Sequence, residues 1–523
     1  MLPQPYGPAV RHQLRLVGAH EPGYWRADDA LPYGTDYAYS IDGGPPLPDP
    51  CSTLLPHGLH GPSRVLDDRF TWNDDAWPGA NLTQAALLHL DVPGATPEGT
   101  LEAAARLLPA VAALGVDGVE LSPVAAFDPR SGPESGVRLF AVHDAYGGPG
   151  ALHRFVDAAH RHGLAVVLDL PHRWAVADPL GLHAFGPYAT GSRIGAPSGS
   201  GTSSDAPRIN LDGSGSRGPR DFLVADAVRW MSSFHVDGLL LDIDALVDRS
   251  AAPFLGELAD AVQSVGLDTG RPRTMLTDGV GMSDRLTTLV ATMLGDRTFD
   301  ATGPIRRLAE EVGPVGSPPR SAPANLRRAY RATQRTAPVL VGDLTRLPAA
   351  ARAVPWSDTA TLDGASPDSA TFDSASPDGV RLAGADDRAV MLACALLAGT
   401  PVVLDTEHVP VAGTDPDALR LVSWARALLA LRPAALADLS KPVEVTTTDG
   451  ALGIRRGRSV LIVRLDPTPG EIDLSQHIGA LVAEWRVMAA WHQDRTVLTE
   501  GVLQVPGRTA VVLRAGNDGL LDL

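Results

Sequence analysis

From about residue 80 onward, short apolar runs alternate with amphipathic helical patterns, and this alternation limits the possible folds more than any other feature. Strands that are apolar along their whole length are buried on both faces, as in parallel sheets joined by helices. No GxGxxG follows the first run, so a dinucleotide-binding fold is disfavoured, and the long succession of units predicts a (β/α)8 barrel. The predicted strands are 86–92, 116–124, 163–170, 236–244, 273–278 and 400–405, and the predicted helices are 100–114, 150–161, 221–234, 251–265, 386–398 and 416–431.

The segments on either side of the barrel have the alternation and turn residues of antiparallel sheets. We therefore predict an N-terminal β-sandwich over residues 1–78, an α/β barrel over 79–432 and a C-terminal β-sandwich over 433–523. Two polar stretches within the barrel, 189–220 and the Ser/Asp/Pro repeat 361–379, are predicted to be loops.

The composition of the chain limits the partners and the cellular location that we expect. The net charge of −17 repels phosphate backbones, so nucleic acid is not an expected partner. There is no 18-residue apolar stretch and no apolar signal core near residue 1, so we expect no membrane span and a cytoplasmic protein. Cys51 and Cys394 are too few for a Cys-rich site, and we expect neither a metal nor a cofactor.

Chemistry in such a barrel belongs at the carboxyl ends of the strands. Asp242 and Asp278 close the fourth and fifth apolar runs, and two carboxyls about 5–5.5 Å apart are what a retaining glycosidase requires. Taken alone, both aspartates fit better as caps of the helices that follow, and His172 with Arg173 could contact a sugar or an anion, or bond only to the backbone. The polar residues at predicted strand ends are Asp91, Glu120, Asp169, His172, Arg173, Asp242, Asp244, Asp278 and Asp405.

Several strings in the sequence are shared, in order, with one enzyme family. The chain resembles the maltooligosyltrehalose trehalohydrolases, which belong to glycoside hydrolase family 13 of the α-amylase superfamily. The resemblance implies the three domains described above and hydrolysis of the bond that joins trehalose to a maltooligosaccharide. The strings that carry it include IDGGPPLPDP (41–50), HGPSRV (60–65), TPEGT (96–100), LGVDGVELSPVAAF (114–127) and HDAYGGPGALHRFVDAAHRHGLAVVLD (143–169).

The same resemblance assigns roles to individual residues. It places the nucleophile at Asp242, the acid/base at Asp278 and, by position only, the third carboxylate at Asp373. The substrate-binding positions that match are Asp169, His172, Arg173 and Asp244.

The chain departs from the family where sugar is bound and cleaved. The Arg that holds the nucleophile is replaced by Leu240, so we expect Asp242 to lack a cationic partner. At the acid/base, Asp278 replaces Glu and stops one methylene short, about 1 Å, which can cost about 100-fold in rate. Trp174 and Glu134 replace a His and a Tyr of the sugar site.

Because these changes concentrate in the catalytic set, we predict an α-glucan-binding protein of trehalose or glycogen metabolism with lost or strongly reduced hydrolase activity. Its partners would be a maltooligosaccharide or α-glucan and other enzymes of that metabolism. Two alternatives stay open. One is an active divergent hydrolase or transglycosylase that releases trehalose; the other is a non-catalytic scaffold that binds proteins through the loops 189–220 and 361–379.

Overall fold

The computed structural model describes most of the barrel and of both flanking segments. Helices and strands are numbered in chain order. The described residues are 12–16, 25–27, 30–176, 180–190, 208–246, 248–277, 342–343, 385–397, 402–404, 416–437, 443–448, 450–464, 466–478 and 485–516.

The described part of the N-terminal segment contains two antiparallel ladders of two strands each. In the second ladder, the Arg64 guanidinium donates to both carboxylate oxygens of Asp36, at 2.6 and 3.1 Å, which joins its two strands through side chains as well. The strands are β1 (Arg15–Leu16), β2 (Trp25–Arg26), β3 (Asp36–Tyr37) and β4 (Ser63–Arg64).

The first half of the barrel follows the predicted alternation with one correction. The predicted helix 100–114 is two helices, because Pro109 has no N–H to donate and fits only in a first helical turn. Thr100 caps the first of the two by accepting a hydrogen bond from Ala103 N. The elements are β5 (Ala86–Leu90), α1 (Val92–Ala95), α2 (Leu101–Ala105), α3 (Leu108–Leu114), β6 (Gly118–Leu121), β7 (Ala125–Phe127), β8 (Val137–Val142), α4 (Gly148–Arg161) and β9 (Ala165–Leu170).

The second half of the barrel begins in the predicted loop 189–220. The described ends of this loop form the short antiparallel ladder of β10 with β11 and the first turn of α5. Residues 191–207 and the whole segment 361–379 lie outside the described residues. The elements are β10 (Ala189–Thr190), β11 (Arg208–Ile209), α5 (Arg217–Ser233), β12 (Gly238–Leu241), α6 (Phe254–Thr269), β13 (Thr274–Thr277), β14 (Gly342–Asp343), α7 (Ala385–Leu396), β15 (Val402–Leu404) and α8 (Pro416–Leu436).

Seven of these strands form one parallel sheet in the order β13-β12-β9-β6-β5-β15-β14. The first strand of the series, β5, is hydrogen-bonded to the last, β15, with Leu87 opposite Val403. Pairing of the first strand with the last is what closes a parallel sheet into a barrel. The predicted (β/α)8 barrel is confirmed.

Successive residues of each strand face opposite sides of the sheet wall. On β5, Leu88 packs outward in the large core beneath the helices, whereas Leu87 packs inside the barrel. The interior is therefore a filled apolar plug. Its buried members are Leu82, Ala85, Leu87, Ala165, Val167, Leu240, Leu276 and Val403.

The C-terminal segment forms two antiparallel sheets, of five and three strands, around a separate apolar core. This agrees with the predicted C-terminal sandwich. None of the helices that the structure describes is both long and apolar enough to cross a membrane. The elements are β16 (Val443–Thr448), β17 (Ala451–Arg456), β18 (Ser459–Arg464), β19 (Gly470–Asp473), α9 (Ser475–Ile478), β20 (Trp485–Ala490), β21 (Val497–Thr499), β22 (Val502–Val505) and β23 (Thr509–Ala515).

Candidate active site at the barrel mouth

The inward face of the barrel changes from apolar to polar towards the carboxyl ends of the strands. Val167 and Leu240 belong to the interior plug. Two residues further along the same strands, the strand period places Asp169 and Asp242 on the same face, one level higher. The sequence therefore builds an apolar floor and, above it, a mouth lined by carboxylates.

At this mouth, Asp242 is bound to Arg173. Arg173 lies in a 3-10 turn directly after β9, and Asp242 directly after the neighbouring strand β12. The guanidinium donates through Nε to Oδ2 and through Nη2 to Oδ1, the latter at 2.6 Å. The Asp242 side chain is 12% exposed and that of Arg173 is 54% exposed. Both oxygens of the carboxylate are thus engaged by a cation that is itself partly exposed.

The expectation that Asp242 lacks a cationic partner is wrong. Leu240 is buried in the barrel plug, as its sequence implies, and carries no charge. Arg173 supplies the missing cation from the end of the adjacent strand. The charge that is absent at Leu240 is therefore replaced by the charge of Arg173.

His172, the neighbour of Arg173, is enclosed by protein. The residue is 2% exposed, and its Nδ1 has no hydrogen-bond partner. Burial lowers the pKa of His172 to about 4, even though the nearby Asp242 charge opposes that shift. The imidazole is therefore neutral at physiological pH, and contact of this ring with a sugar stays a prediction.

The other predicted site residues divide into those that the structure places and those that it does not. Asp169 is half-buried at the end of β9, on the strand that pairs with β12. Asp244 lies in the 3-10 turn after Asp242, but only its backbone is described. The catalytic candidates Asp278 and Asp373, as well as Asp405, lie outside the described residues.

A second polar group lies at the ends of β5 and β6, and sequence reasoning found only part of it. His89 Nδ1 is hydrogen-bonded to Glu120 Oε2, and His89 Nε2 lies 3.3 Å from Ser122 Oγ. Ser122 Oγ also donates to Asp91 Oδ1 at 3.1 Å. Glu120 and Asp91 were among the strand-end candidates. His89 was missed because a single polar residue in the run ALLHLDV does not disturb an apolar strand pattern.

The opposite, amino-terminal end of the barrel contains a buried ionic network. Asp74 Oδ2 is 2.9 Å from His160 Nδ1, 2.8 Å from His235 Nδ1 and 2.8 Å from Arg271 Nη1. Burial alone would raise the pKa of Asp74, but hydrogen bonds from Arg271 and the two histidines outweigh it and hold that pKa well below its usual range.

The network continues to the residue that precedes β12. His160 Nε2 lies 2.9 Å from Asp237 Oδ2, which also accepts from Val166 N at 2.9 Å. Trp77 Nε1 donates to Asp237 Oδ1 at 2.9 Å and stacks on the His160 ring. Because this end lies away from the mouth, and both of its carboxylates are buried in ion pairs, its role is to fix the strands. Across the described ranges, no group of three or more His, Cys, Asp or Glu side chains is arranged to hold a metal ion.

Comparison with solved structures assigns the class of fold. The chain superposes on a protein from Salmonella typhimurium classed as an alpha amylase, with a TM-score of 0.68 and 21% identity over 96% of this chain and 94% of that one. It also superposes on the GBS pullulanase SAP, solved with maltotetraose, with a TM-score of 0.61 and 13% identity over 90% and 77%. The chain therefore has the fold of these α-amylase and pullulanase structures.

Comparison with curated protein sequences points to a narrower group of relatives. The chain is 41% identical to the malto-oligosyltrehalose trehalohydrolase of Arthrobacter ramosus over 265 residues, and 40% identical to that of Rhizobium sp. (strain M-11) over 270 residues. These matches cover 49% and 50% of this chain but only 44% and 43% of the relatives, so less than half of their length is spanned. The resemblance to trehalohydrolases is thereby confirmed over about half the chain. No protein-family model matches it.

Proposed function

We propose that this chain is a trehalohydrolase-like, α-glucan-binding protein whose glycoside hydrolase activity is lost or strongly reduced. The observation that carries the proposal is the ion pair between Arg173 and Asp242. The resemblance to trehalohydrolases gives the sugar class, and one structural neighbour was solved with maltotetraose.

The ion pair bears on catalysis through the oxygen atoms that it occupies. A retaining glycosidase forms a covalent bond between a carboxylate oxygen and the sugar ring, so that oxygen must reach the anomeric carbon. Here both oxygens of Asp242 accept hydrogen bonds from one guanidinium. Charge-assisted pairs of this geometry are among the stronger hydrogen bonds in proteins, so a sugar would have to displace Arg173 before Asp242 could attack.

The residues around the Arg173–Asp242 pair also support a loss of hydrolase activity. Leu240 gives the carboxylate no support from below, and Glu134 stands at the position where the family has a Tyr. The half-buried carboxylate of Asp169 and the Arg173 side chain, which is 54% exposed, are groups of the kind that hydrogen-bond sugar hydroxyls. Binding without turnover is the function that fits both features best.

Two measurements test the proposal. Concentrated protein is incubated with maltotriosyltrehalose, with Asp242→Ala as control, and binding of maltooligosaccharides is followed by isothermal titration. We expect binding, and no trehalose release above the control. Release that disappears in Asp242→Ala would establish the active-hydrolase alternative. If the protein neither binds maltooligosaccharides nor releases trehalose, the scaffold alternative remains.

Removing the guanidinium should expose Asp242 to electrophiles. At pH 7, we expect Arg173→Ala to speed labelling of Asp242 by the glucose-like epoxide conduritol B epoxide by about tenfold, since one charged hydrogen bond contributes about 1.5 kcal/mol. The rate is measured by peptide mass spectrometry. Arg217→Ala is the matched control, because Arg217 is ion-paired with Asp221 on the surface of α5. An unchanged or slower rate in Arg173→Ala would mean that Arg173 does not shield the carboxylate.

The finer assignments rest on the same resemblance. We propose that the protein acts in the cytoplasm, beside other enzymes of trehalose or glycogen metabolism. We also propose the division into domains 1–78, 79–432 and 433–523, with the second boundary inside α8. Cell fractionation with antibody detection tests the location, and recovery in the membrane or secreted fraction would contradict it.

A further inference from the structure

The polar group at the ends of β5 and β6 has the order of a nucleophile, a base and an orienting acid. Ser122 Oγ lies 3.3 Å from His89 Nε2, and the opposite ring nitrogen, Nδ1, is hydrogen-bonded to Glu120 Oε2. With its Nδ1 proton directed at Glu120, the imidazole has its Nε2 lone pair available to Ser122 Oγ once the single hydroxyl proton turns from Asp91 Oδ1, 3.1 Å away, to the ring. A separation of 3.3 Å is within the range of nucleophile–base pairs without a bound substrate.

The three residues also differ in exposure in the manner that such chemistry requires. The Glu120 side chain is 4% exposed and that of His89 is 22% exposed. Ser122 is half-buried, and Asp91, which accepts a hydrogen bond from it, is exposed. The acid is thus shielded from water, while Ser122, directly after β6, is partly exposed.

We propose that Ser122, His89 and Glu120 form a nucleophilic site that hydrolyses neutral acyl esters of sugar hydroxyls or other small alcohols. The site uses neither Asp242 nor Arg173, so it does not depend on the function proposed above. Asp91 beside the hydroxyl repels anionic acyl groups, which favours a neutral acyl group such as acetyl. An ester suits the site better than an amide, because an alcohol leaves with less help from a proton donor.

The reaction follows from the positions of the atoms. Ser122 Oγ forms a bond to the acyl carbon while its proton moves to His89 Nε2, and Glu120 stabilises the resulting imidazolium. The bond between the acyl carbon and the alcohol oxygen then breaks, and that oxygen takes the proton from His89. Water next attacks the acyl-serine, again giving its proton to His89. The carboxylic acid leaves as Ser122 regains its proton, so the only co-reactant is water.

The test uses the full chain, with p-nitrophenyl acetate and acetylated maltose as substrates and a fluorophosphonate as a label for the nucleophile. Background acylation of amines is limited because Lys441 is the only lysine. We expect the label on Ser122, and loss of ester hydrolysis by about 1,000-fold in Ser122→Ala and His89→Gln. Hydrolysis of p-nitrophenyl acetate alone would restrict the site to activated esters of small alcohols and exclude the sugar ester.

Controls keep folding separate from chemistry. Ser232→Ala removes an exposed hydroxyl from α5 that donates only to the Val228 carbonyl, and it should keep full hydrolysis and labelling. Ser122→Ala removes one oxygen and should keep the circular dichroism spectrum and melting temperature. Folded protein that takes up no label, label on another residue, or hydrolysis retained in Ser122→Ala would each overturn the proposal.

Discussion

Replacing Asp74 with asparagine is expected to lower the free energy of unfolding of the barrel by about 3–5 kcal/mol, the usual effect of removing one partner from a buried ionic group. One oxygen, Oδ2, receives hydrogen bonds from His160, His235 and Arg271. An amide in its place has the same shape but no charge, so it leaves the half-buried Arg271 guanidinium without its counter-ion. Urea unfolding at pH 7, followed by tryptophan fluorescence and circular dichroism, measures the loss.

The pH dependence gives a second readout for the same variant. The pKa of Asp74 is lowered in the folded protein, so its stabilising effect is present above the ordinary pKa of an aspartate and is lost in stronger acid. The difference in the free energy of unfolding between the parent and Asp74→Asn should therefore become smaller as the pH falls. Asp260→Asn, on the exposed face of α6, is the matched control and should unfold with the parent. An Asp74→Asn protein that unfolds with this control would show that the network does not hold the barrel.

The sequence contained enough information to predict the barrel because local patterns determine most of it. Strand positions follow from apolar runs, and the inward or outward direction of each side chain follows from a period of two. Leu240 and Asp242 therefore fall on one face of the barrel wall at successive levels, as that period requires. The break of the helix 100–114 could also have been read from Pro109, which the apolar period alone overlooks.

The contacts at the mouth were not predictable in the same way. Arg173 and Asp242 were both recognised as strand-end residues, yet their ion pair depends on β9 and β12 being neighbours and on the direction of a long side chain. The matching of Leu240 to a lost Arg led to the wrong conclusion, since a comparison position by position cannot see a cation arriving from another strand.

The ionic network at the amino-terminal end of the barrel was also not predictable from local sequence patterns. Asp74 and Arg271 are 197 residues apart in sequence and are brought together by the tertiary fold. The two ends of the barrel therefore differ in origin: strand periodicity places Asp169 and Asp242 at the mouth, whereas tertiary closure brings together the salt bridges at the base.

Asp226 is the opposite case, a buried carboxyl whose burial the fold compensates only in part. It lies on α5, it is fully buried, and neither of its oxygens has a hydrogen-bond partner. Burial raises the pKa of Asp226 to about 7, although Trp230 and Arg229 nearby act against the shift. The side chain is therefore neutral in mild acid and is forced to ionise inside the protein as the pH rises.

We expect this carboxyl to make the protein less stable as the pH rises from about 4 to about 8. The unfolded chain releases the proton near pH 4 and the folded chain only near pH 7, so the penalty grows through this window to about 4 kcal/mol at its upper end. Asp226→Asn, which cannot ionise, should match the parent near pH 4 and exceed it most at pH 8. Urea midpoints across that range provide the measurement.

The comparison must separate this effect from the other titrating groups. Asp221→Asn changes a half-buried aspartate of the same helix that is paired with Arg217, and it should follow the parent to within about 1 kcal/mol at each pH. If Asp226→Asn instead keeps the parent's pH dependence, then ionisation of Asp226 costs the folded protein nothing and the expected penalty is absent. A flat profile in Asp226→Asn alone would identify one unpaired carboxyl, rather than the total charge of −17, as the main source of instability above neutral pH.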